Sequence, residues 1–185
     1  MAEPAKPSPK TLSRTKRKCR KCGEIAVVVS RKEHRYAECG LRTVLVKGME
    51  IRTCSACKAR QVVVQRVLEL HQAIAMTLVR KRTRLAGDEI RFMRKHIDWS
   101  GKDLARHMGV AHETVSRWEH EREFMSAMAD RLFKLIVVLK CGQTADFAIE
   151  RLLEIAVTTE AEWATFQDVE GRWTEVRRAG QGVVE

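Results

Sequence analysis

Residues 100–119, SGKDLARHMGVAHETVSRWE, determine what we expect of the helical part of the chain. Their apolar side chains recur at helical spacing on either side of a short break: Leu104, Ala105, Met108, Val115 and Trp118. Within the break, Gly109 can adopt the left-handed backbone conformation that ends a helix. The stretch therefore predicts two short helices joined by a tight turn, which is a helix-turn-helix pattern.

The second predicted helix has a polar face opposite its apolar one. Glu113, Ser116, Arg117 and His120 fall on that face at 3.6 residues per turn. A recognition helix needs a free polar stripe of this kind to enter a DNA groove. An ordinary helical hairpin with a solvated face has the same hydrophobic pattern, so the pattern alone leaves both interpretations open.

Composition sets limits on the class of protein. The 185 residues, 44% of them apolar, suffice for one medium domain or two small ones. No run of eighteen apolar residues and no signal-peptide pattern occurs, so we expect a soluble cytoplasmic protein that does not enter a membrane. Six cysteines in that compartment indicate metal ligands or free thiols before disulfides.

The net charge of +11 is unevenly distributed. Residues 1–60 contain 16 Lys and Arg against 5 acidic residues, whereas residues 141–185 contain 4 against 9. All three prolines lie in the first ten residues, and residues 1–18 are predicted to be a disordered basic arm. Such an arm either follows DNA phosphates or is simply a solvated tail.

Two C-x-x-C pairs, separated by 31 residues, carry the clearest chemical signal: Cys19, Cys22, Cys54 and Cys57. Two thiolates from one tight turn bind one ion, and two such turns complete a tetrahedral Cys₄ site, which predicts one structural Zn²⁺. Four thiolates around Zn²⁺ leave a net charge of −2. Basic residues that could offset it are close in sequence: Arg20, Lys21, Lys58 and Arg60.

The alternative for these pairs is redox chemistry. A thioredoxin-like C-x-x-C opens a helix after a strand, and neither pair has that context. Instead, β-branched runs at 25–29, 43–46 and 49–52 predict a small antiparallel ribbon held by zinc. Other Cys and His residues are left out of the site because they lack a partner at ligand spacing or suit a strand interior: His34, Cys39, His71 and Cys141.

The remaining segments are predicted to be helical. Apolar residues recur at helical spacing in residues 61–82, which we expect to form a connecting helix, and in residues 87–96, which we expect to form the first helix of the bundle. Ser126 can cap a further helix. Phe166 and Trp173 belong to an acidic extension that we also expect to be helical. The predicted fold is thus α+β, a zinc ribbon followed by an all-α bundle. Its segments are an arm (1–18), a zinc ribbon (19–60), a connecting helix and linker (61–84), a helix-turn-helix domain (85–140) and an acidic helical extension (141–185).

Residues 104–119, spaced Leu-Ala-x-x-Met-Gly-Val-x-x-x-Thr-Val-Ser-Arg-Trp-Glu, resemble the Cro and phage-repressor class of DNA-binding domains. The chain departs from that class at two positions. Gly101 stands where a phosphate-contacting glutamine is usual, and Ala111 stands where a Ser or Thr usually caps the recognition helix. The resemblance implies a lambda-repressor-like bundle in which one helix contacts bases.

The order of the two motifs, over residues 19–140, resembles the MqsA antitoxin family with its YgiT-type zinc finger. This implies a homodimer that represses its own promoter and holds a partner toxin through the zinc domain. Matching the motif assigns base contacts to four recognition-helix residues, with Ser116 beside them as a further DNA-binding residue: His112, Glu113, Thr114 and Arg117. Ser100 and Lys102 are placed for phosphate, and Arg117 could bind guanine with two hydrogen bonds.

A second class of function stays open from sequence. The zinc ribbon could be a protein-interaction module, for a toxin or a component of the transcription machinery, in a regulator that has no toxin. An enzyme is not expected, because the order of residues assembles no nucleophile with its base, phosphate loop or open three-ligand metal site.

Overall fold

The computed structural model describes residues 13–14, 17–142 and 164–176. Within these residues the fold is α+β, as predicted, with a six-stranded sheet and five α-helices. The strands are β1 (Ser13–Arg14), β2 (Val27–Arg35), β3 (Val44–Cys54), β4 (Arg60–Val63), β5 (Ala164–Val169) and β6 (Arg172–Glu175). The helices are α1 (Val67–Arg80), α2 (Gly87–His96), α3 (Gly101–Met108), α4 (His112–Glu119) and α5 (Ala127–Lys140).

Strand β3 is the centre of the sheet. It pairs antiparallel with β2 along one edge, and its other edge is shared between antiparallel β4 and parallel β5. Apart from Thr43, the two runs predicted at 43–46 and 49–52 belong to this one strand. Gly48, at φ 73°, lies where the pairing register with β2 shifts, so the strand passes the glycine through a bulge instead of ending there.

The prediction of a helical C-terminal extension was wrong for residues 164–176, which form the β5–β6 hairpin. Phe166 is fully buried in β5, and Trp173 lies in β6. Glu170 and Gly171 both have positive φ and make the two-residue turn that suits a tight hairpin. Residues 143–163, including Trp163, and 177–185 of the predicted extension lie outside the described residues.

The N-terminal arm was predicted to be disordered, and this was wrong at two residues. Ser13 and Arg14 pair with Val29 and Val28 as strand β1 at the edge of the sheet. The other arm residues up to 16 lie outside the described part of the chain.

The helices follow the local signals closely, except at the start of α1. Residues 60–63 form β4, and Arg66 at φ 48° turns the chain into a helix that begins only at Val67. Ser126 accepts a hydrogen bond from the Ala129 N–H at 3.2 Å and caps α5 as predicted. None of the helices in the described segments is long and apolar enough to cross a membrane.

One large core joins the sheet to the helices. β3, β5 and each of the five helices contribute fully buried side chains to it, among them Val46, Phe166, Leu70, Ile74, Ile90, Leu104, Val115 and Phe133. A second, small cluster contains Cys19, Val27 and Cys54. Since α1 packs on β5 and β6 as well as on α2 and α5, the division into a ribbon followed by a separate bundle remains a prediction.

Candidate metal centre and nucleic-acid interface

The fold brings all four predicted metal ligands together. The sulfur atoms of Cys19, Cys22, Cys54 and Cys57 lie within 4.8 Å of one another, with Cys19–Cys57 at 3.6 Å and Cys22–Cys54 at 3.7 Å. Sulfurs held 2.3 Å from a tetrahedral ion would lie about 3.8 Å apart. The cluster therefore has the size and donor set of a tetrahedral Cys₄ metal site.

Two similar turns present these thiols. In the first, the N–H of Gly23 bonds to the Cys19 carbonyl at 2.9 Å; in the second, the N–H of Lys58 bonds to the Cys54 carbonyl at 3.0 Å. Both residues have positive φ, 78° at Gly23 and 59° at Lys58. The sequence shows a glycine in only one of the two turns, but the backbone takes the same course in both.

The four thiols influence one another's ionisation strongly. Backbone N–H groups of Cys22 and then Lys21 lower the pKa of Cys19 to about 6. The backbone of Glu24 lowers the pKa of Cys22, but burial and the neighbouring thiols outweigh it and raise that pKa to about 12. Four negative charges this close repel one another, so full ionisation of the cluster requires a cation at its centre.

Helices α3 and α4 form the tight two-helix unit that the sequence predicts. Ser100 caps α3 by accepting a hydrogen bond from the Asp103 N–H at 3.1 Å, while Asp103 accepts one from the Ser100 N–H at 2.9 Å. At the other end Gly109 takes φ 65°, and the N–H of Val110 bonds to the Ala105 carbonyl at 3.0 Å. Helix α3 thus begins with a capping box and ends at a glycine in the left-handed conformation.

The predicted DNA-contacting residues of α4 lie on its outer side. Val115 and Trp118 are buried, whereas His112, Glu113 and Arg117 are exposed and Thr114 and Ser116 are half-buried. Ser100 and Lys102, at the start of α3, are also exposed. The Arg117 side chain is 59% exposed and is 3.7 Å from a Glu123 carboxylate oxygen, a weak surface pair that another anion could replace.

Gly101 has a local explanation that the sequence did not reveal. A Cβ on Gly101 would lie 2.9 Å from Nε2 of His112, so the imidazole occupies the space beside the start of α3. The absence of a side chain at position 101 is what allows His112 to lie there. Ala111 takes the N-cap position of α4 without a side-chain hydrogen bond, as its chemistry requires.

Sequence reasoning missed the ion pairs that hold α4 in place. Glu119, with a 10% exposed side chain, accepts from Arg94 Nε at 2.6 Å and from Arg91 Nε at 3.3 Å. Arg94 also donates to the Trp99 carbonyl at 2.7 Å. The two arginines are three residues apart on α2, and that spacing was the only signal of a shared partner.

No family model, curated protein or solved structure matches the chain. The likeness to the Cro class and to MqsA antitoxins therefore rests on the residues of this chain alone.

Proposed function

We propose that the protein is a sequence-specific, double-stranded-DNA-binding transcription regulator with α4 as its recognition helix. The observation that carries this proposal is the exposed polar face of α4. His112, Glu113 and Arg117 contribute nothing to the buried core, while Val115 and Trp118 fix the helix from behind. A rigid helix with a free polar side is what the major groove accommodates.

The ends of the two helices support the same function. Exposed Ser100 caps α3 and exposed Lys102 lies in its first turn, where the hydroxyl and the cation can contact a phosphate. The His112 imidazole beside Gly101 adds a donor near that helix start. The protein would hold the DNA backbone at α3 while side chains of α4 contact base edges.

We propose that the Cys₄ centre holds one structural Zn²⁺. Four thiolates and no open coordination position suit a closed zinc site, which stabilises its loops without taking part in a reaction. The proposed role of the metal is to join the turn at Cys19–Cys22 to the end of β3 and so to complete the sheet that supports the helices.

A homodimer is part of this proposal. Four apolar side chains lie on α5 at alternating intervals of four and three residues: Met128, Leu132, Leu135 and Leu139. Three of them are exposed, Met128 at 81%, Leu132 at 43% and Leu139 at 57%, whereas Leu135 is half-buried. This spacing is that of a coiled-coil seam. Dimers would bind half-sites about one helical turn apart; a monomer in sedimentation equilibrium at micromolar concentration would contradict the dimer.

The DNA-binding proposal is tested by fluorescence anisotropy with the metal-loaded protein, its own upstream promoter and a scrambled duplex, at two salt concentrations. Selective binding to the promoter is expected if the protein represses itself, as an antitoxin of a type II toxin-antitoxin system would. Equal and steeply salt-dependent binding to both duplexes would contradict sequence-specific recognition. A toxin partner would appear as a co-purifying protein encoded beside the regulator.

Arg117→Ala is the single substitution that tests base recognition most directly. Loss of a bidentate guanine contact is expected to weaken promoter binding by about 1–3 kcal/mol, with little effect on the scrambled duplex. Arg31→Ala, which removes an exposed cation from β2, is the matched control. Equal losses on both duplexes would remove Arg117 from base recognition.

A further inference from the structure

A pocket beside the Cys₄ cluster has a charge that the metal site does not explain. It lies between the first cysteine turn and strands β3 and β4, and six of its lining side chains are cationic: Arg17, Lys18, Arg20, Lys21, Arg52 and Arg60. Among the described residues that line it, none is acidic. The pocket therefore gathers cations from three separate parts of the chain on one surface.

The simplest explanation, that these cations offset the thiolates, accounts for only part of them. A Zn²⁺ ion with four thiolates has a net charge of −2, which two cations neutralise. Arg52 is already paired with Glu50 at 2.8 Å. Three positive charges remain, and within the described chain no carboxylate forms an ion pair with Arg17, Lys18 or Arg60.

We propose that this pocket is a second DNA-binding surface, which holds the phosphate backbone of a duplex independently of its sequence. Arg17, Lys18 and Arg60 are exposed and can each reach a phosphate, and Gln61 in the same lining adds an uncharged donor. Phosphate contacts from Arg, Lys and polar side chains position a protein on DNA without selecting bases. This surface would raise affinity for any duplex, whatever α4 does.

The lining also argues for a duplex against other acidic partners. Its described residues include no aromatic side chain, whereas sites for single-stranded nucleic acid usually stack bases on aromatic rings. Its apolar members beside the cysteines are only Val27 and Ala59. Protein interfaces centre on large apolar or aromatic anchors and are depleted in lysine, so an acidic protein is the less suitable partner.

The test uses the full-length, metal-loaded protein and a fluorescein-labelled duplex of random sequence in anisotropy titrations at several salt concentrations. The variant Lys18→Gln/Arg60→Gln removes two pocket cations, and Arg31→Gln/Lys32→Gln removes two exposed cations from β2. We expect the pocket variant to weaken binding on the order of tenfold and to reduce the slope of log K against log salt by about 2. In the control variant, the affinity and the salt dependence should both stay close to those of the wild type.

Equal losses of affinity in the two variants would overturn the proposal, because only the net charge of the protein would then matter. No loss of affinity in either variant would also overturn it, because the pocket cations would then not contact DNA. Displacement of the duplex by poly-glutamate at equal charge concentration would also overturn it, in favour of an acidic protein partner. Thiol protection against a disulfide reagent, measured on each variant, verifies that the Cys₄ site is intact. Failure of promoter selectivity would remove the role proposed for α4 but would leave this result unchanged.

Discussion

Lys58 holds a backbone conformation that its own side chain disfavours. Its φ of 59° matches the 78° of Gly23 in the first cysteine turn, and a non-glycine residue there costs about 1 kcal/mol. Lys58→Gly is therefore expected to stabilise the metal-loaded protein by about 0.5 kcal/mol, since part of the gain is lost to the flexibility of glycine in the unfolded chain. Urea unfolding measures the change.

The control for Lys58→Gly is the opposite change, glycine to alanine, at the matching position of the first cysteine turn. Apart from its chain neighbours, no heavy atom of the described residues lies within 4 Å of a Cβ built on Gly23, so Gly23→Ala tests the backbone alone and should destabilise the protein by about 1 kcal/mol. A loss of stability in Lys58→Gly would show that the charge near the thiolates outweighs the backbone strain.

The ion pairs of Glu119 with α2 are expected to make the stability of the protein depend on pH. Burial raises its pKa, but the hydrogen bonds and charges of Arg94 and Arg91 outweigh burial and hold the pKa of Glu119 below its ordinary value of 4.5. A carboxylate with a depressed pKa contributes stability above its unfolded pKa, and this contribution is lost as the pH falls through the folded pKa. Glu119→Gln is expected to cost about 1–3 kcal/mol at pH 7.

The pH dependence distinguishes an ion-pair effect from simple repacking. The difference in unfolding free energy between wild type and Glu119→Gln should narrow as the pH is lowered below about 4.5. Glu123→Gln, at a 48% exposed side chain that pairs weakly with Arg117, is the control and should change stability little. A difference that stays constant down to pH 3 would exclude the ionised Glu119 as its source.

At the scale of elements, the crossing of α2 and α4 depends on a glycine. A Cβ on Gly87 would lie 2.6 Å from the Glu119 carbonyl oxygen and 2.8 Å from that of Trp118. Because both contacts are with backbone, Gly87→Ala is expected to destabilise the fold by about 1–3 kcal/mol, although alanine is the better helix former. Thermal unfolding measures the effect.

Gly101→Ala provides the comparison, because Gly101 is the first residue of α3 as Gly87 is of α2. Its Cβ would meet only the end of the His112 side chain, which can move aside. The change should be close to neutral for stability, and comparable losses in both variants would mean that helix starts, not the crossing, are sensitive.

Local signals predicted most of the elements, and long-range contacts explain the errors. The C-x-x-C spacing, the cap at Ser126 and the break at Gly109 act within a few residues, so the sequence displays them directly. The β5–β6 hairpin has a short Glu170–Gly171 turn, but its strands are stabilised by the packing of Phe166 against core residues that are far away in sequence. The Glu119 ion pairs and the packing at Gly87 likewise join residues about thirty apart, which no local pattern encodes.

For the whole molecule, the two hydrophobic clusters predict how metal loss proceeds. The large core contains none of the four ligand cysteines, which belong to or pack against the small cluster around Val27 or lie exposed. If the cluster holds the zinc ion we propose, chelation should release one ion per chain and speed amide exchange at Val27 and Cys54, while Leu104 and Val115 stay protected. Loss of the helical circular dichroism signal on chelation would mean that the metal supports the whole fold.

The place of β5 beside β3 also sets the order in which the protein can be completed during synthesis. Val44 and Val46 of β3 pair with Ala164 and Phe166, more than a hundred residues later in the chain. Strand pairing over such a separation is slow to form, and the edge of β3 at residues 44–47 stays unpaired until residues 164–169 have left the ribosome. An unpaired strand edge is a template for pairing with another chain, so a chain truncated before residue 164 is expected to aggregate through this part of β3.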